Sequence, residues 1–60
     1  MSDQTTAALI AEYIGRMPAS LANVRSHFGL SRADALAHLA ALEAAGSIRR
    51  LGAAPLWRLA

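Results

Sequence analysis

The sequence predicts a mainly α domain: three helices with a helix-turn-helix unit in the middle, followed by a small β-hairpin. Three observations predict it. Apolar residues recur at spacings of three and four over residues 7–17, 21–28 and 35–42, the period of an amphipathic helix. Gly29 and Gly46 close the second and third of these stretches, where helices commonly stop in a left-handed glycine. Beyond Gly46 the pattern changes to two short apolar-and-arginine runs on either side of Gly52-Ala53-Ala54-Pro55, which reads as strand, turn, strand.

Helix one is expected over about 3–16. Asp3 or a neighbouring Ser or Thr can cap it. Its inner stripe is Ile10, Tyr13, Ile14 and Met17, widened by Ala7 and Leu9. Gly15 weakens the last turn, and Pro18 ends the helix because a proline disfavours helical geometry at the residue before it.

Helix two is expected over about 20–28, with Leu21, Val24 and Phe28 inward. The Ser20 hydroxyl is placed to accept from the Asn23 N–H. Leu30, just past Gly29, is the apolar residue that folds back on such a helix end.

Helix three is expected over about 31–45, with Ala35, Leu39 and Leu42 down its inner side. Ser31-Arg32-Ala33-Asp34 fits the Ser-x-x-acid capping pattern, and Asp34 sets a negative charge in the first turn, where the helix dipole favours it.

The hairpin spans about 47–59, with strands at 47–51 and 56–59. Alternation puts Trp57 and Leu59 on one face and Arg58 on the other. Two strands are not stable alone, so the hairpin must lean on the helices, with Trp57 as its anchor. The expected core is Ile14, Leu21, Val24, Phe28, Leu39, Leu42, Ile48 and Trp57.

Sixty residues make a single domain, 1–60, which buries only about 60% of the surface of its unfolded chain. The absence of cysteine excludes disulfide stapling and thiolate zinc sites. No apolar run approaches the roughly 20 residues of a membrane helix, so no membrane insertion is expected. The segment MSDQTTAALI lacks the positive region of a signal peptide, which makes a cytoplasmic setting the default. All six basic residues are arginines. From residue 16 onward they face two acids, Asp34 and Glu43, a balance of +4 over the helix-turn-helix and hairpin. Such a balance is the electrostatic footprint expected of a nucleic-acid binder, and it is equally what a small Ala/Arg-rich composition produces.

Little points to other chemistry. His27 and His38 lie on different helices with no third ligand at suitable spacing, so no metal site is expected. Ser20 and Ser31 lack a Ser-His-acid context and read as helix caps. The four glycines are scattered and form no phosphate loop, so no cofactor is expected. No cleft of enzymatic size is expected in a chain this short.

Three helices and a terminal hairpin, with a helix-turn-helix in the middle, resemble the winged-helix family of DNA-binding domains. The likeness covers about the last forty residues. The stretch LSRADALAHLAALEAAGSIRRLG is similar to the recognition helix and first wing strand of many bacterial regulators, with Leu30, Ser31, Ala35, Leu39, Leu42, Glu43, Gly46 and Ile48 fitting the pattern. The resemblance implies a bacterial or phage transcription regulator that binds double-stranded DNA, as a dimer or within a larger assembly. Helix three would enter the major groove, with Ser31, Arg32, Ala33, Ala37 and His38 toward the bases. Ser20, Arg25, Arg49 and Arg50 would hold phosphates; the two adjacent arginines, beside the recognition helix, read as a phosphate clamp or else as a solvated strand.

A second reading starts from the outward side of helix three, where positions 33, 36, 37, 40, 41 and 44 are all Ala or Leu. Such a surface suits a protein partner or a second copy of the chain. Small winged-helix accessory proteins of membrane transport systems resemble this plan, with a similar size and a terminal Trp-containing strand.

Overall fold

The computed structural model describes residues 3–52 and 56–60. Three helices carry most of the chain: α1 (Asp3–Arg16), α2 (Leu21–Phe28) and α3 (Arg32–Ala44). Three short strands accompany them: β1 (Ala19–Ser20), β2 (Ile48–Arg50) and β3 (Leu56–Leu59). The sheet is antiparallel in the order β1-β3-β2. Among the described residues no helix is long and apolar enough to cross a membrane.

The third strand corrects the expected two-stranded hairpin. Ala19 pairs with Trp57 and Ser20 with Leu56. The reason lies in the helix cap. An N-cap residue takes extended backbone angles, and Ser20 has φ −88° and ψ 169°. The chain is therefore already extended as it leaves Pro18, and β3 needs only to lie beside it. Two residues are too few to leave a periodic signal. Of the expected turn Gly52-Ala53-Ala54-Pro55, the last three residues lie outside the described residues; Gly52 has φ 51°, and the Leu51 N–H donates to the Leu56 carbonyl at 3.0 Å.

The helix ends follow the local chemistry. The Ser20 hydroxyl accepts from the Asn23 N–H at 3.1 Å, and the Asn23 side chain accepts in return from the Ser20 N–H at 3.1 Å, a reciprocal capping box. At the other end of α2, Gly29 takes φ 65°, and the N–H groups of Gly29 and Leu30 both donate to the Arg25 carbonyl. Helix α3 opens with the Ser31 hydroxyl accepting from the Asp34 N–H at 3.1 Å.

The core draws on every element. Ile10 and Ile14 of α1, Ala19, Val24 of α2, Ala35 and Leu39 of α3, Ile48 and Trp57 are buried together. Leu21, Phe28 and Leu42, expected inside, pack half-buried around this cluster with Tyr13 and Leu30. Met17 does not join it and is 67% exposed. It falls just past the end of α1, so the helical phase that turns Ile10 and Ile14 inward no longer governs it. Tyr13 stacks on His27 at 4.2 Å between ring centroids and meets Phe28 edge-on at 5.6 Å, tying α1 to α2.

Candidate nucleic-acid interface

The tight turn at Gly29 and Leu30 brings α2 directly against α3. Ala35 and Leu39 face the core, so the positions half a helical turn away point outward. Ala33, Ala37, Ala40 and Ala44 are all exposed and lie on that outer stripe. Ser31 and Arg32 are exposed at its N-terminal end. No ion pair engages Arg32 among the described residues. The outer stripe is therefore open, with an exposed arginine and a Ser31-capped helix start at one end and methyl groups along the rest.

The other sequence-predicted residues are distributed as follows. His38 sits half-buried on the flank of α3 that turns toward α1, in a shallow groove with Ala7, Ala8, Ala11, Ala41, Leu42 and Ala45. It does not share the outer stripe with Ala33 and Ala37. Ser20 is half-buried, and its hydroxyl is committed to the α2 cap, donating to the Asn23 side-chain oxygen at 2.8 Å while accepting from the Asn23 N–H. Arg25 is exposed on α2, its Nε donating to the Leu30 carbonyl at 3.5 Å across the turn.

Arg49 and Arg50 do not form one clamp. Successive residues of a strand face opposite sides. Arg50 shares its face with buried Ile48 and lies across the hairpin from Trp57, with its guanidinium carbon 5.3 Å from the centroid of the Trp57 ring. Its Nε is 3.9 Å from Glu43 Oε1, so it is held beside α3. Arg49 points to the outer face of the sheet, where its register partner is Arg58.

Arg58 was absent from the predicted site. Its signal lies in strand alternation: with Ile48 and Trp57 inward, both Arg49 and Arg58 turn outward, and the register of β2 and β3 sets them opposite each other. Neither has a carboxylate partner among the described residues. The described residues contain no group of three or more His, Cys, Asp or Glu side chains placed to hold a metal ion.

No family model matches this chain, and no curated protein or solved structure matches it either.

Proposed function

We propose that this chain is a winged helix-turn-helix module that binds double-stranded DNA and serves in transcription regulation, as a dimer or within a larger assembly. The observation that carries the reading is the open outer stripe of α3, presented N-terminus first beyond a tight turn from α2. Two helices in this relation form the unit that inserts its second helix into the major groove. Arg32 stands in the first turn, the place from which base edges are read, and donates two parallel bonds to a guanine. Ala33 and Ala37 bring methyl groups against thymine methyls. Arg25 on α2 and Arg50 beside α3 supply phosphate contacts that set the register without reading sequence.

The test is a salt titration of binding to random-sequence duplex DNA. Affinity should fall linearly with salt on a logarithmic plot, with a slope set by a handful of phosphate contacts. A folded domain with no detectable binding at low salt removes the reading.

The groove between α1 and α3 favours a second reading, in which the chain is a protein-interaction module. Ala7, Ala8, Ala11, Ala41 and Ala45 allow another helix to approach closely, and exposed apolar patches mark interfaces. Under this reading a partner or a second copy covers the Ala/Leu side of α3.

A further inference from the structure

We propose that the outer face of the sheet and the hollow beside it form a second docking surface, for an acidic protein segment that carries apolar side chains. This surface is independent of the α3 stripe and does not rest on the DNA reading.

Two arginines in direct cross-strand register start the argument. Arg49 and Arg58 are partners on β2 and β3, both exposed and both on the face of the sheet turned away from the helices. Like charges directly opposite each other in a sheet repel. Here no carboxylate relieves the repulsion: among the described residues the ion pairs are Arg16 with Glu12 and Arg50 with Glu43. An anion laid across the pair does relieve it. A guanidinium fork matches a carboxylate with two parallel bonds.

The charge does not stand alone. Arg58 also lines a hollow of about 450 Å³ between the end of α1 and the end of β3, together with Ile14, Gly15, Arg16, Met17, Pro18 and Leu59, the last reaching it from the helix-facing side of the strand. Met17 is 67% exposed and Leu59 45% exposed, two of the three large apolar side chains the described part of the molecule leaves to solvent. Apolar residues at the lip of a concave site, with arginines beside them, ask for an occupant that is anionic and apolar at once. A hollow of this size takes one or two side chains, which a peptide inserts and a flat bilayer does not. Arg49 and Arg58 face away from the side of the sheet that packs on the helices.

The experiment uses the whole chain and a fluorescein-labelled peptide of alternating glutamate and leucine, followed by anisotropy at low salt. The peptide should bind. Arg49→Ser with Arg58→Ser should weaken it about tenfold, the scale of two exposed arginine–carboxylate pairs. Met17→Ser should weaken it as well, and polyglutamate of the same length should bind less tightly than the mixed peptide. Arg32→Ala should leave peptide binding unchanged. All these positions are exposed, so each variant should fold, which circular dichroism checks before binding is compared. Failure of the peptide to bind the folded chain overturns the proposal. So does binding that ignores the Arg49/Arg58 double substitution. Tighter, arginine-dependent binding to phosphatidylglycerol vesicles than to the peptide overturns it in favour of a lipid surface. Loss of duplex DNA binding from the double substitution, equal to that from Arg32→Ala, overturns it by assigning the pair to nucleic acid.

Discussion

Arg50 lies over Trp57: its guanidinium carbon is 5.3 Å from the ring centroid, and the two residues are direct register partners across the hairpin. The bond from the Leu51 N–H to the Leu56 carbonyl makes the next pair inward, Arg50 and Trp57, a non-hydrogen-bonded one. In such pairs the side chains come closest. Glu43, reaching from α3 to 3.9 Å from the Arg50 Nε, holds the cation over the ring. Trp57 is 6% exposed, packed in the core cluster on one side and flanked by the Arg50 guanidinium on the other.

Arg50→Ala should therefore destabilise the domain by about 0.5–1 kcal/mol, more than other exposed arginines such as Arg49. Urea unfolding of the two variants side by side checks it. Equal midpoints would show that the contact contributes nothing. Trp57 itself has a buried indole N–H with no hydrogen-bond partner among the described residues. Trp57→Phe keeps an aromatic ring and removes that orphan donor, so it should cost well below the roughly 3–5 kcal/mol expected of Trp57→Ala.

Leu39 is fully buried at the centre of α3, among residues from all three helices and the sheet. Leu39→Ala should cost about 2–5 kcal/mol. At roughly 0.05–0.15 kcal/mol per residue, a chain of this length holds only about 3–9 kcal/mol in total. The variant should therefore be largely unfolded at moderate temperature by circular dichroism. Met17→Ala, on the exposed position past α1, should shift the midpoint by less than about 0.5 kcal/mol.

Two glycines should respond in opposite directions to alanine. Gly29 has open space around it but φ 65°, a conformation in which a side chain is strained, so Gly29→Ala should destabilise by about 1 kcal/mol. Gly15 is helical, and an added Cβ would meet Leu59 Cδ1 at 2.9 Å. That atom is the end of a flexible, 45% exposed side chain, which can swing away. Gly15→Ala should then stabilise by up to about 1 kcal/mol through helix propensity. A loss of stability would show that the Leu59 contact is fixed and matters more than propensity.

The parts of the fold that the sequence carried are those set by neighbouring residues. Ser20 with Asn23, Ser31 with the Asp34 amide, and Gly29 in its left-handed turn all act within five positions along the chain, and all three were legible. Ile14, Val24, Leu39, Ile48 and Trp57 were legible as core from periodicity alone. What escaped depends on partners distant in sequence. Strand β1 exists because β3 lies beside it, and nothing in Ala19-Ser20 announces that. Ala19 is buried because it pairs with Trp57 across that strand contact, a fact of tertiary geometry rather than of hydrophobicity. For the candidate site, Arg32, Ala33 and Ala37 share an exposed end and stripe of α3 as the spacing implied, but His38 turns toward α1. Arg49 and Arg50 do not act as one clamp because successive strand residues face opposite sides, Arg49 toward Arg58 and Arg50 toward Trp57.

The two functional readings divide at α3, and the geometry supplies a pair of positions that separates them. Ala37 lies on the outer stripe that the DNA reading presents to the major groove. Ala41, one turn on, lines the groove with Ala7, Ala8 and Ala11 of α1. Both are exposed, so a glutamate at either is solvated in the lone chain and should cost little stability. On DNA, a carboxylate at position 37 faces phosphates and base edges, and Ala37→Glu should abolish binding. In a helix-on-helix interface, a carboxylate at position 41 enters an apolar groove without a partner, and Ala41→Glu should break assembly. Duplex binding and sedimentation are measured on each variant. The regulator predicts loss of DNA binding from Ala37→Glu with the sedimentation unchanged. The interaction module predicts loss of assembly from both variants and no DNA binding in the parent chain. We expect the first outcome, because the outer stripe begins at a freely exposed arginine and a capped helix start, which a protein seam of small residues does not require. A chain that tolerates both substitutions without change would remove α3 from either role.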